Sequence, residues 1–267
     1  MGVIEAIKKG FGVTAKGMSL VAVLFVFNLL GNLATLPFAP TPGSAVTAQA
    51  TLPLLAISLV FILISIFIQG GSLGLVRDII KEGSMKLSAL MQYGTKYYVR
   101  LFILGLIILL FVAVVALLAA LTIGLTAPLN SAVVSGTAIV AVLAITIALA
   151  LYFFIPFILS PYAIVCDELS PIEALKKGIA VGRNPFSRVF TLLLLVVLLV
   201  LIALGVGFLI GLLVGLVSVV IPTGAAKMLM LVVSSIVNSY LGVVATAAFM
   251  AYYLAKKDSP AKAASSI

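Results

Sequence analysis

The chain has 267 residues, 64% of them apolar and 9% charged, with a mean hydropathy of +1.39. Soluble domains run near half apolar and about a quarter charged, so this composition excludes an ordinary water-soluble fold. His and Trp are absent and Cys166 is the single cysteine. That excludes a disulfide framework, His-ligated zinc or haem, and catalysis by a His base. The net charge of +9, in so apolar a chain, points to a membrane surface before nucleic acid.

Six runs of 18 or more uncharged, mostly apolar residues predict membrane helices, since about 20 residues cross a hydrocarbon core of about 30 Å. In chain order they are Met18–Phe38, Thr51–Leu75, Leu101–Leu125, Val133–Phe157, Val189–Val220 and Met228–Leu254. None contains Asp, Glu, Lys or Arg. The fifth, at 32 residues, would reach about 48 Å as a helix, so it must tilt, extend past the bilayer or break near its glycines. A signal peptide is the rival for the first run, with Ala48-Gln49-Ala50 resembling a cleavage site. We reject it because the run exceeds a signal hydrophobic region of about 7–15 residues.

The connecting segments sort by charge. The N-terminal segment, 76–100, 158–188 and the tail after Leu254 hold every basic residue except Lys227. This positive-inside pattern predicts cytoplasmic termini, which an even number of spans requires.

Ile4-Glu5-Ala6-Ile7-Lys8-Lys9-Gly10 matches Ile172-Glu173-Ala174-Leu175-Lys176-Lys177-Gly178 almost residue for residue, and Leu87-Ser88-Ala89-Leu90 is a weaker third copy. This self-similarity predicts an all-α, polytopic fold of six transmembrane helices. They form three hairpins, each preceded by a cytoplasmic interfacial amphipathic helix. The repeats run over about 1–75, 76–165 and 166–257, with a polar tail at 258–267. Ser170-Pro171-Ile172-Glu173 is a capping box with Pro at the first helical position, and Asn184-Pro185 predicts the start of the fifth span. In the middle copy Ile79, Ile80, Leu87, Leu90 and Met91 share a face opposite Lys81, Glu82, Lys86, Ser88 and Gln92. Such helices lie among headgroups, making Lys8, Lys9, Lys16, Lys81, Lys86, Lys176, Lys177 and Arg183 candidates for anionic headgroup contact; plain juxtamembrane anchoring is the alternative.

Polar residues at membrane depth are few: Asn28, Asn32, Gln69, Asn238 and Tyr240. Interhelical hydrogen bonding is their commoner use; a polar substrate path through Asn28, Asn32, Gln69 and Asn238 is the other. Gly207, Gly211 and Gly215 form a G-xxx-G-xxx-G row that predicts close helix packing. Pro156 and Pro161 bracket the end of the fourth span and predict a stop or a break there. Asp167 and Glu168 are adjacent and diverge by about 100° on a helix, and there is no nucleophile or phosphate-binding motif. No catalytic, metal or cofactor site is expected.

The stretch Phe154-Ile155-Pro156-Phe157-Ile158-Leu159-Ser160-Pro161-Tyr162-Ala163-Ile164-Val165-Cys166-Asp167-Glu168, followed by Glu173-Ala174-Leu175-Lys176-Lys177-Gly178, resembles the membrane domain attached to some glycerophosphoryl diester phosphodiesterases and related prokaryotic membrane proteins. In those enzymes the chemistry belongs to a separate soluble domain, so the resemblance implies no catalytic residue here; it implies a prokaryotic cell membrane and a role near glycerolipids. The expectation is a non-catalytic membrane module that binds or organises lipids and partner proteins, other membrane proteins or a second copy of the chain included, and no nucleic acid. A transporter, channel or scramblase-like path, and an auxiliary subunit docking through the glycine row, are the alternatives.

Overall fold

The computed structural model describes residues 1–38, 48–126, 157–183, 186–217 and 223–264. In chain order come α1 (Val3–Lys16), α2 (Met18–Thr35), a 3-10 turn at Leu36–Phe38, α3 (Ala48–Glu82) and α4 (Ala89–Thr126), then α5 (Ser160–Asp167), α6 (Pro171–Arg183), α7 (Phe186–Val217) and α8 (Thr223–Ala264). Among the described residues there is no strand. Five helices are long and apolar enough to cross a membrane: Met18–Thr35, Leu52–Glu82, Ala89–Leu121, Phe186–Leu212 and Gly224–Lys257. The expected span Val133–Phe157 lies outside the described residues except for Phe157, as do Pro156, Asn184 and Pro185.

The chain divides into two compact units, one comprising Met1–Tyr98 and Thr191–Ile267, the other Val99–Phe190. In the first, α1 lies against α8. Ala6, Gly10, Val13 and Thr14, at positions i, i+4, i+7 and i+8, are its buried face, while Glu5, Lys8, Lys9 and Lys16 are exposed. A β-carbon on Gly10 would stand 2.7 Å from the Val244 carbonyl oxygen and 3.2 Å from the Ala248 β-carbon, so only glycine allows this approach. The buried Thr14 hydroxyl donates to the Gly10 carbonyl at 2.8 Å, which satisfies it inside the contact.

The α3–α4 hairpin closes in the same way. A β-carbon on Gly71 would lie 2.6 Å from the Leu90 carbonyl oxygen, one on Gly74 would enter the Tyr93 ring, and one on Gly94 would lie 2.7 Å from the Phe67 ring. The turn follows from Gly83, whose φ of +76° ends α3 in the left-handed region that glycine adopts without cost. Its amide donates to the Ile79 carbonyl at 3.0 Å.

In the second unit α5 packs against α6. The predicted capping box is present: the Ser170 amide donates to Glu173 Oε2 at 3.1 Å and the Glu173 amide to Ser170 Oγ at 3.4 Å. α1 starts comparably, with the Gly2 amide donating to Glu5 Oε2 at 3.2 Å. The two helices also bury matching residues, Ala6 and Gly10 in α1, Ala174 and Gly178 in α6.

Two expectations are corrected. The middle copy is not a separate interfacial helix: Ile79, Ile80, Lys81 and Glu82 are the last turns of α3, and Leu87–Leu90 lead directly into α4. Nothing between Leu75 and Glu82 breaks a helix, so the chain stays helical until Gly83. For the same reason the helical rods run beyond the charge-free runs, and Arg77, Asp78, Lys81, Lys96 and Arg100 lie on them. Of the alternatives for the fifth span, a break at its glycines is not the one taken, since α7 is continuous to Val217; α8 extends to Ala264.

The contact at Gly10 predicts opposite effects of one methyl group. Gly10→Ala should destabilise the protein by about 1–3 kcal/mol through overpacking, whereas Gly12→Ala, which meets nothing within 4 Å, should stabilise it by up to about 1 kcal/mol. Thermal unfolding of the two variants in the same detergent, followed by circular dichroism, measures both.

Candidate functional site

The described residues hold three arrangements of polar groups or open space that a membrane protein could use. The first joins the α3 and α4 ends of the first unit. The Arg77 guanidinium donates to Asp78 Oδ1 through Nε at 3.3 Å and Nη2 at 3.2 Å, and to the Tyr97 hydroxyl through Nη1 at 3.0 Å. The Tyr93 hydroxyl donates to Asp78 Oδ2 at 2.7 Å. Arg77 also lies 5.1 Å from the centre of the Tyr93 ring, within reach of a cation–π contact. Asp78 is 9% exposed and both its oxygens are bonded, as a buried carboxylate requires. Sequence reasoning missed this cluster because it ended the second span at Leu75. The available signal was tyrosines at i and i+4, Tyr93 and Tyr97, on the helix following an Arg-Asp pair. Its chemistry is that of a hairpin clamp.

The second arrangement lies between α2, α3 and α8. Asn28 Nδ2 donates to Ser239 Oγ at 2.8 Å, and Asn32 Nδ2 to Ser235 Oγ at 3.1 Å. Ser239 in turn donates to the Ser235 carbonyl at 2.7 Å. The two asparagines therefore tie α2 to α8. Their other side lines an open groove of about 370 Å³ between α2 and α3, together with Thr35, Ser58 and Ser65. Phe27 and Phe61, with ring centres 5.6 Å apart, also line it.

The third is a cleft of about 340 Å³ between α7 and α8, apolar except for Ser234 and Asn238. Gly207 lines it and has open space where a β-carbon would be, and Gly211 meets only the Met230 methyl, 3.0 Å from such a carbon. Within the chain the glycine row at Gly207 and Gly211 meets no neighbouring backbone, and the surroundings of Gly215 lie outside the described residues. Among the described residues, Gly10, Gly71, Gly74 and Gly94 are glycines at which a β-carbon would collide with a neighbouring helix.

The four expected intramembrane polar candidates do not assemble. Asn28 and Asn32 share the groove, Asn238 lines the separate cleft, and Gln69 is exposed on α3 and lines neither. The headgroup candidates Lys8, Lys9, Lys16, Lys81, Lys86, Lys176, Lys177 and Arg183 are all exposed. Beside Lys176 and Lys177, hydrogen bonds from the Ser170 hydroxyl and amide hold Glu173 below the usual carboxylate range. The capping contribution is therefore present above the ordinary glutamate value of about 4.3 and is lost as pH falls through the lower folded value.

Removing Asp78 should cost more than removing a neutral bond. Asp78→Ala takes the carboxylate from Arg77 and the acceptor from Tyr93 and should destabilise by about 3 kcal/mol, while a double-mutant cycle of Asn28→Ala with Ser239→Ala should give a coupling of about 0.6 kcal/mol. Reversible unfolding in mixed micelles provides both values.

No curated protein and no solved structure matches the chain. A family model does match it, over residues 1–256, and is described as a domain of unknown function (DUF7847). The helical architecture and the membrane-length helices described above are accordingly those of a chain that belongs to the DUF7847 family.

Proposed function

We propose that this chain is a non-catalytic membrane module that binds anionic lipid headgroups along a lysine rim and organises lipids or partner proteins around it. One observation carries the reading. α1 and α6 bury their small residues, Ala6 with Gly10 and Ala174 with Gly178, and leave Lys8, Lys9, Lys176 and Lys177 exposed. An interfacial helix that docked on lipid alone would bury its large apolar side chains in the bilayer. Here the small-residue face is sealed, and exposed Ile4 and Ile172 remain beside the lysines to enter the acyl boundary.

The charge asymmetry of the connecting segments supports a cytoplasmic placement of this rim and of both termini. The resemblance of 154–168 and 173–178 to the membrane domain of glycerophosphoryl diester phosphodiesterases supports a setting among glycerolipids. In this reading the fourth apolar run completes six spans in three hairpins, in the cell membrane of a prokaryote.

Each lysine at an anionic surface contributes about 1 kcal/mol. Replacing Lys8, Lys9, Lys176 and Lys177 together by Gln should therefore weaken retention of phosphatidylglycerol over phosphatidylcholine by at least about tenfold. Native mass spectrometry of the protein with defined mixtures of the two lipids reads this directly. Unchanged retention would remove the basis for the lysine rim.

A further inference from the structure

The groove between α2 and α3 has a hydrogen-bonding polarity of its own. Ser239 has one hydroxyl proton and gives it to the Ser235 carbonyl, so it must accept from Asn28. That fixes the Asn28 amide with Nδ2 toward α8 and leaves Oδ1 for the groove. Asn32 likewise points Nδ2 at Ser235. Thr35 donates to the Gly31 and Asn32 carbonyls at 3.2 and 3.1 Å, and Ser65 to the Ile62 carbonyl at 2.7 Å. Their protons are committed to their own helices, and their oxygen lone pairs remain. Acceptors in the groove, two amide oxygens and the hydroxyl oxygens of Thr35, Ser58 and Ser65, consequently outnumber its donors, one N–H on each asparagine and the Ser58 hydroxyl.

Its position matters equally. Asn28 to Thr35, and Ser58 to Ser65, each cover about 10 Å of helix in membrane-length rods. These are the half of α2 away from Lys16 and the first half of α3. The flanking side chains Val26, Leu30, Leu55 and Leu59 are exposed, as lipid-facing residues are. A polar group left unpaired against hydrocarbon costs several kcal/mol, so an open polar groove in such a wall needs an occupant that carries donors.

We infer that the α2–α3 groove binds an uncharged, hydroxyl-bearing lipid headgroup, glycerol or sugar, whose hydroxyls donate to Asn28, Asn32, Thr35 and Ser65. A phosphate offers only acceptors and would meet an acceptor-rich wall. An ammonium finds no carboxylate among the residues lining the groove. Phe27 and Phe61 supply apolar faces for the C–H side of such a headgroup. This inference requires the chain to lie in a membrane but does not depend on the lysine rim, so the two readings fail separately.

The chain lacks Trp, which makes single indole reporters possible. Ile62 lines the groove and is 54% exposed, while Leu59, one turn away and 59% exposed, does not line it. The full chain carrying Ile62→Trp or Leu59→Trp is placed in phosphatidylcholine vesicles. Part of the lipid is then replaced by a chain-brominated quencher: diacylglycerol, glucosyl diacylglycerol, phosphatidylcholine or phosphatidylglycerol. The expected result is a binding preference at I62W of about tenfold for diacylglycerol or glucosyl diacylglycerol over phosphatidylcholine, and none at L59W; the stronger of the two quenchers identifies the headgroup as glycerol or sugar. Adding Thr35→Val with Ser65→Ala, which leaves the α2–α8 hydrogen bonds intact, should reduce the preference about tenfold. Equal quenching by all four lipids at I62W, or a preference there for phosphatidylglycerol, would overturn the inference.

Discussion

The carbonyl oxygen of Val244 lies 2.7 Å from where a β-carbon on Gly10 would be, and that of Leu90 lies 2.6 Å from the same point at Gly71, too close for any side chain. Between apolar helices in a lipid environment there is no hydrophobic drive to associate, so contact depends on close van der Waals approach and on hydrogen bonds. Glycines supply the first at the α1–α8 and α3–α4 contacts; the second comes from polar side chains that bond from one helix to the next. The Arg77–Asp78–Tyr93–Tyr97 cluster closes the hairpin end, and the Asn28–Ser239 and Asn32–Ser235 bonds hold α2 to α8.

Docking through small residues has a consequence for chemistry. α1 is held by its alanine and glycine face, so its lysines are directed outward whatever surrounds it. α6 repeats the arrangement in the other unit with Ala174 and Gly178. Further along the first unit, buried positions give way to exposed apolar ones on α2, α3, α7 and α8. There the two openings occur, one polar and one apolar, and both differ from the surrounding leucine-rich wall.

Several features were legible in the residues themselves. Charge-free runs marked the five described membrane-length helices, and the first run differs from α2 only in its last residues. The Ser170–Glu173 capping box was readable because its bonds join residues three apart. The Asn28–Asn32 spacing announced a shared helix face, and hydrogen bonding between helices was the commoner expectation for it. Other features were not legible. A hydropathy window stops at the first charge, so Asp78 fell outside the span although α3 continues through it. The GxxxG row at Gly207 is a helix face in the sequence, but spacing is silent about what stands opposite, and within the chain it borders an apolar cleft. Gly71 and Gly74, spaced three apart, were overlooked for the converse reason.

Composition and periodicity alone determined that this chain is helical, membrane-length in its spans and basic on particular connecting segments. These follow from local energetics: apolar side chains per turn, backbone hydrogen bonds within each helix, and charges that stay near water. Only the tertiary structure decided which glycines touch a neighbouring backbone, which serines complete Asn28 and Asn32, and which polar groups keep unused lone pairs toward a groove. Several of those outcomes depend on pairs more than 200 residues apart, such as Asn28 with Ser239 and Gly10 with Val244. The geometry that joins them is a property of helix against helix, which no single stretch of sequence contains.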